Sequence, residues 1–338
     1  MKKPIRKYAL SVMTAAVVLL LGACGNADNS NVTPSASSAA SESAAVSPSA
    51  AASAAASAAA SSERTLTDDY GHQVSIESTP ERILAPYMED ALVTLGVTPV
   101  AKYSAGGTVQ EHLEPWLADL PVIDLMSGLS PEAALGFEPD LIMISSHFLP
   151  VENYETIAKV APTYLFNGEA GDWGEQLRKV GELLGKEELA EQKLTEYDAK
   201  IAEAKEQLSQ SVEGKKVAIL WPSEKEFYVV GSEFLSGKLL YGELGLAAPE
   251  LASATPDNFG TLSLEKLPEL DADELFVITP EGQTEEQVDK LLADMPLWKT
   301  MPAVKNGRVH HVSSGHWINS AYMANLAVLQ DVTEALQG

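Results

Sequence analysis

The sequence predicts an α/β protein of two Rossmann-like lobes joined by a long rigid helix. Three observations carry this expectation. Short apolar strands alternate with amphipathic helices in residues 64–167 and again in 212–338, the pattern of mainly parallel sheets covered on both faces. Between these runs lies the helical stretch KEELAEQKLTEYDAKIAEAKEQLSQ (186–210), which would span roughly 38 Å. One phrase is also written twice. LSPEAALGFEPDLIM from Leu129 returns as LSLEKLPELDADELF from Leu262, so each lobe carries helix then strand at an equivalent place.

Not all 338 residues are available to these lobes. Residues 1–23 have the form of an export signal: a basic start (Lys2, Lys3, Arg6, Lys7), an apolar run from Ala15 to Leu21, then Gly22 and Ala23. The run is too short to span a bilayer and ends in a processing site. Leu21-Gly22-Ala23-Cys24 resembles the bacterial lipobox, which implies cleavage before Cys24 and acylation of its sulfur. Cys24 is the sole cysteine, so no intramolecular disulfide can form. The other reading of a lone exported thiol is a free cysteine. Residues 24–63 are dominated by Ala, Ser and Pro and cannot bury enough apolar surface to offset chain entropy. They read as a disordered tether with roughly 30–40 Å of root-mean-square reach. The expected location is the outer face of the cytoplasmic membrane, held by the lipid anchor.

Charge excludes one class of partner. Removing the signal takes four basic residues and no acid, leaving 19 Lys and Arg against 48 Asp and Glu. So acidic a chain is not expected to bind nucleic acid.

The N-terminal lobe (64–167) opens with RTLTDDYGHQVSI, a hairpin around a Gly-containing turn. RILAPY (82–87) reads as a strand, EDALVTLG (89–96) as a helix closed by Gly96, and PVAKYS (99–104) as a second strand. PEAALGF (131–137) is helical, DLIMISS (140–146) is a buried strand and APTYLF (161–166) closes the lobe. The connecting helices (168–211) comprise WGEQLRKVGELLG (173–185) and the 186–210 stretch. In the C-terminal lobe (212–338), KVAILW (216–221) and EFYVVG (226–231) are strands about the turn Pro222–Lys225. SEFLSGKLLYGELG (232–245) is expected to be a helix N-capped by Ser232. LEKLPEL (264–270) and ELFVI (274–278) repeat the helix-then-strand unit. TEEQVDKLLADMPLW (284–298) is helical, GRVHHVS (307–313) a strand and INSAYMANLAVLQDVTEAL (318–336) a final helix.

In the duplicated phrase, Ser130 and Ser263 suit the N-cap, and Pro131 the first helical position. Glu132 and Glu265 then fall in the first turn, where an acid complements the helix dipole by about 0.3–1 kcal/mol. From the residues alone, each glutamate is simply a good helix start.

The order of these elements, with the lipobox and tether, resembles the substrate-binding lipoproteins of bacterial ABC importers for ferric siderophores, haem and cobalamin. These are binding proteins of the class III periplasmic type. PERILAPYMEDALVTLGVTPVA, SPEAALGFEPDLIM, WGEQLRKVGELLGKEELAEQKLTEYDAKIAEAKEQL and LWKTMPAVKNGRVHHV carry the likeness from Arg64 to the C-terminus. The resemblance implies a monomer with a ligand cleft between its lobes. It also implies docking on an ABC permease through Glu132 and Glu265, one on each lobe.

In such an architecture ligands lie at the C-terminal ends of the strands. That rule selects Tyr87, Met88, Tyr103, Ser104, Ser146 and His147 from the first lobe, and Trp221, Tyr228, His316 and Trp317 from the second. Rings beside hydroxyls and an imidazole suit a bulky, partly apolar iron chelate. No intrinsic cofactor is expected, and the iron is expected to be held by the chelator rather than by protein ligands. The candidate positions hold almost no Arg or Lys, which favours a hydroxamate chelate over a strongly anionic catecholate. Haem or cobalamin is the alternative ligand, with His147, His316 and Met88 as axial candidates for haem. A surface adhesin or structural lipoprotein is the alternative of another class. Enzyme readings fare worse: GSEFLSGK (231–238) has five residues between its glycines and Leu239 after its Lys, which breaks the P-loop pattern.

Overall fold

The computed structural model describes residues 63–168 and 172–337. The signal segment, Cys24 and the tether up to Ser62 lie outside the described residues. Among the described residues no helix is long and apolar enough to cross a membrane.

The first lobe opens with the expected hairpin, Arg64–Thr67 (β1) antiparallel to Gln73–Ile76 (β2). Its turn is organised by Asp68, whose Oδ1 accepts the Tyr70 and His72 backbone N–H groups at 3.0 and 2.8 Å, an Asx-type turn. Ile83–Leu84 (β3), Lys102–Ser104 (β4), Val122–Asp124 (β5), Leu141–Ser145 (β6) and Thr163–Phe166 (β7) follow. β3, β6 and β7 form a parallel sheet in that order, and β4 pairs with β5 in parallel. Leu141 to Ile144 are fully buried, as expected of a strand covered on both faces. Glu89–Thr94 (α1) follows β3, and Pro131–Leu135 (α2) precedes β6. Ser130 caps α2, its Oγ accepting the Ala133 N–H at 3.1 Å.

Trp173–Leu184 (α3) and Glu187–Leu208 (α4) form the strut. Asp172 caps α3, and Gly185 ends it in the left-handed conformation at φ 65°, where a Cβ would be strained. The 22 residues of α4 reach about 33 Å. Ala190, Leu194, Tyr197, Ile201, Ala204 and Leu208 make its buried stripe, spaced alternately by four and three, which is the helical period.

The second lobe is a five-stranded sheet of order β10-β9-β8-β11-β12. Its strands are Val217–Pro222 (β8), Glu226–Val230 (β9), Phe259–Ser263 (β10), Glu274–Thr279 (β11) and Val309–Ser313 (β12). β8, β11 and β12 are parallel, whereas β9 and β10 run antiparallel. The antiparallel half departs from the mainly parallel expectation. The turn after Pro222 is too short for a crossover, so β9 returns beside β8, closed by the Ser223 N–H donating to the Glu226 carbonyl at 2.9 Å. Two helices follow: Glu285–Ala293 (α5), started by a complete Thr284/Gln287 capping box, and Tyr322–Gln337 (α6).

Two expectations are corrected here. Ser232 does not cap a helix. Residues Ser232–Leu235 are drawn into the loop after β9, the Ser232 N–H donating to the Ala252 carbonyl and that of Glu233 to Pro256. Leu235 takes a positive φ of 46°, and regular winding begins only beyond it, with a π-helical turn over Lys238–Glu243. Likewise Ser263 ends β10, and its side chain makes no cap bond. The repeated Leu-Ser-x-Glu phrase here begins a 3₁₀ helix, Leu264–Glu269, which contains Pro268, a residue with no N–H to give an α-helical ladder.

One apolar cluster runs through both lobes and the strut. It includes Met143 and Phe166, the buried stripe of α4, and Ile219, Phe276 and Trp317. α6 packs on α1 and on α4, so the last helix of the chain is covered by elements of the first lobe and the strut.

Candidate functional site

Every strand of the first lobe's main sheet ends at one cavity of about 1370 Å³, roomier than the ~300–1,000 Å³ common for small-molecule sites. Tyr87 and Met88 after β3, Tyr103 in β4, and His147 and Phe148 after β6 form one wall. Trp173 and Lys179 of α3 form its floor at the strut. From the second lobe come Glu233, Phe234, Leu235 and Lys238, and the Asn319–Ala321 turn that precedes α6.

The first wall is aromatic. The Tyr87 ring meets Tyr103 edge-on at 5.1 Å and Phe148 at 5.5 Å, Tyr103 and Phe148 lie 5.4 Å apart, and His147 stands perpendicular to Phe148 at 4.9 Å. Edge-to-face contacts of this kind add about 0.5–1.5 kcal/mol each beyond buried area. Tyr87 sits at φ 69°, a conformation that costs a non-glycine residue of order 1–3 kcal/mol and marks sites where surroundings enforce a geometry. Burial, with the nearby Tyr87, Glu89 and Asp124, raises the Tyr103 hydroxyl to about 12, so at physiological pH it is a neutral hydrogen-bonding group.

The charges in the cavity are mostly internally matched. Lys179 pairs with Asp69, which also accepts the Asn167 N–H at 2.9 Å and the Tyr164 hydroxyl at 3.3 Å. Burial pushes the Asp69 carboxyl up, but the Asn167 N–H and Lys179 outweigh it and hold the group below the usual range. Asp172 is occupied as the α3 cap and Glu175 pairs with Arg178. Among the described lining residues there is no arginine.

Behind this wall the lobes are pinned together. Asp90 of α1, 2% exposed, accepts the backbone N–H groups of Met323 at 2.9 Å and Ala324 at 3.0 Å, at the start of α6. His112 lies between the Asp90 carboxylate, 3.1 Å from Nε2, and the Gly315 carbonyl, 2.8 Å from Nδ1. Both ring nitrogens are therefore engaged, and the ring bridges α1 to the segment that precedes α6. Gln110 adds a bond to Asn319 at 3.2 Å.

Of the candidate ligand residues read from sequence, Tyr87, Met88, Tyr103 and His147 come together in the cavity. The structure places the others elsewhere. Ser104 is fully buried and accepts the Gly107 N–H. Ser146 turns its hydroxyl to Tyr70 and the Gly168 N–H, both at 2.8 Å. Trp221 packs on Phe259, and Tyr228, in the middle of β9, donates to Glu226; neither lines the cavity. His316 and Trp317 both reach Asp331, at 2.7 and 2.8 Å, and the Trp317 ring stacks on Phe276 in the core. The second lobe's wall is instead built by the irregular 233–238 segment and by Asn319–Ala321, which strand-end reasoning does not reach. Phe148 and Trp173 were also missed, although each adjoins a segment that the sequence marks. Glu132 and Glu265 are both exposed in the first turn of their helices.

Two α/β lobes on a helical strut, around an aromatic-walled cavity, make a solute-binding architecture. The chain belongs to the periplasmic binding protein family, whose model matches residues 88–314. The iron(3+)-hydroxamate-binding protein FhuD of Bacillus subtilis is 29% identical over 220 residues, 64% of this chain and 68% of its own. The probable siderophore-binding lipoprotein YfiY of the same organism is 26% identical over 330 residues, 94% of this chain and 93% of its own. A crystal structure of the FhuD fold family, the periplasmic binding protein component of a Fep/Fec-like ferrichrome ABC transporter from Bacillus subtilis, is similar with a TM-score of 0.68. It is 25% identical, covering 80% of this chain and 99% of that one.

Proposed function

We propose that this protein captures a ferric siderophore of the hydroxamate type in the aromatic-walled cavity and delivers it to an ABC permease. In this reading the chain is held at the outer face of the cytoplasmic membrane through a lipidated Cys24. The observation that carries the ligand class is the cavity's charge. Of its two described lining lysines, Lys179 is matched by Asp69 and only Lys238 has no ion pair among the described residues, and no arginine is among the described lining residues. A tris-catecholate chelate is strongly anionic and would meet Lys238 as its one unmatched lining cation among the described residues, whereas a tris-hydroxamate chelate of Fe³⁺ is neutral and asks only for rings and hydrogen-bonding groups. The hydroxamate and ferrichrome names of relatives support the same reading. Docking through Glu132 and Glu265 fits two exposed carboxylates on separate lobes, each able to make a bidentate pair with a permease arginine.

The test uses Trp173, which lines the cavity, as the reporter. The protein is titrated with ferrioxamine B, ferrichrome, a ferric catecholate, haemin and cobalamin while tryptophan fluorescence is read. Saturable quenching by a hydroxamate and none by the catecholate is expected. Preference for the catecholate, or a retained Soret band with haemin alone, would overturn the assignment.

A further inference from the structure

Directly behind the aromatic wall lies a carboxyl that the ligand-capture reading does not use. Glu89, the first residue of α1, is 1% exposed. Its Oε1 accepts the Tyr103 backbone N–H at 2.6 Å, while its buried Oε2 has no hydrogen-bond partner. Tyr103 and Tyr87, two residues before Glu89, are the rings that meet at 5.1 Å on the cavity wall, and Tyr87 is in the strained positive-φ conformation. One buried side chain therefore ties the end of β4 to the turn after β3.

We infer that Glu89 is a positioning residue for ligand capture: its buried carboxyl fixes the backbone from which Tyr87 and Tyr103 present their rings to the cavity. This inference rests on the capture reading above. The hydrogen-bond pattern indicates the form that does the positioning. A carboxylate with one oxygen buried and unpaired is costly, whereas a protonated carboxyl leaves only a neutral hydroxyl unpaired. Burial accordingly raises the group to about 8, and the backbone N–H groups of Glu89, Tyr103 and Tyr87 recover only part of that. The titratable groups facing it are Asp90 on its own helix, the Tyr87 hydroxyl, and Tyr103 from β4. His112, from the 111–113 turn, and the α6 N–H groups meet Asp90 instead. α3, also packed on α1, shares with it the apolar cluster of Leu177 and Val180. Ionising Glu89 places a second negative charge beside Asp90 and loosens the wall.

The experiment has two readouts on the full chain. In ¹⁵N-tyrosine-labelled protein, the Tyr103 amide signal, assigned with Tyr103→Phe, is followed by NMR as pH rises. It is expected to titrate with a midpoint near 8 in the wild type and to stay flat in Glu89→Gln, whose amide oxygen keeps the acceptor without the charge. Affinity for ferrioxamine B is expected to be about tenfold weaker at pH 9 than at pH 7 in the wild type, the loss in the protonated fraction for a group titrating near 8. Glu89→Gln should hold its pH 7 affinity at both. A flat Tyr103 amide in the wild type, which needs no variant, overturns the inference, as do identical affinity profiles for the two proteins. Failure of the wild type to bind ferrioxamine B at any pH defeats the hydroxamate reading and leaves the amide titration to decide Glu89.

Discussion

Asp90 and Met323 are 233 residues apart in sequence, and the carboxylate of the first accepts the backbone N–H of the second at 2.9 Å. The same carboxylate takes the Ala324 N–H and bonds His112, so one buried side chain on α1 caps α6 and holds an imidazole ring. Helix N-termini favour such an anion through their unpaired N–H groups.

Asp90→Ala should therefore be among the most damaging substitutions in the first lobe. It leaves the buried His112 ring and the α6 N–H groups without their acceptor, for which about 1–3 kcal/mol of lost stability per orphaned group is expected. Asp90→Asn keeps an acceptor and should lose less. Urea unfolding of the two variants checks both the size and the order.

The Glu89 carboxyl also sets a pH dependence of stability. Its folded value of about 8 lies above the ordinary 4.5, so the folded state holds the proton more tightly than the unfolded one. The contribution is fully present below about 4.5 and is lost as pH rises through about 8. The unfolding midpoint of the wild type should fall relative to that of Glu89→Gln between pH 5 and pH 9, by thermal denaturation at matched ionic strength. Parallel curves would contradict the assignment.

Phe148→Ala is expected to weaken ferrioxamine B binding by about tenfold, through loss of one ring's contact with the chelate and of its packing on Tyr87 and Tyr103. Tyr228→Ala, outside the cavity, should leave affinity unchanged. Fluorescence titration of the pair separates a wall residue from one that lies within β9 outside the cavity.

Glu132→Ala combined with Glu265→Ala should abolish siderophore-dependent iron uptake in cells while leaving solution affinity at the wild-type value. Both side chains are exposed and far from being buried partners of the fold, so stability should change by less than about 0.5 kcal/mol. Uptake by the double variant at the wild-type rate would remove the docking role.

Gly237→Ala tests how the second lobe's wall is made. A Cβ on Gly237 would collide with the Gly231 carbonyl oxygen, and one on Gly231 with the Thr255 carbonyl oxygen. This close approach of backbones folds the 233–238 segment against the cavity. The alanine variant should lose about 1–3 kcal/mol to overpacking and lose affinity with it, read by thermal shift and titration on the same sample.

Much of the scaffold was legible because its signals are periodic. The buried stripe of α4 repeats by fours and threes, the Thr284 capping box announces α5, and continuous apolar runs mark β6 and β11. What was not legible depends on tertiary pairing. FGTLS becomes β10 only because β9 turns back and offers it an edge, and Ser232 caps nothing because the chain after it turns, with Leu235 at positive φ, before any helix begins. In the site, strand ends located Tyr87, Tyr103 and His147. They could not show that Trp317 turns inward to Phe276 and Asp331, since ring direction is set by packing that period and spacing do not encode. Glu89 and Asp90 look alike as consecutive first-turn acids; only burial and partners separate a neutral carboxyl from a capped anion.

The shared core and the crossing of α6 onto α1 bear on how this architecture can change over evolutionary time. Although the chain reads as one unit written twice, its halves are not interchangeable cassettes. A first half made without the C-terminal helix would lose the N–H groups that Asp90 accepts, so a graft exchanging one half must carry that helix and its acidic acceptor together.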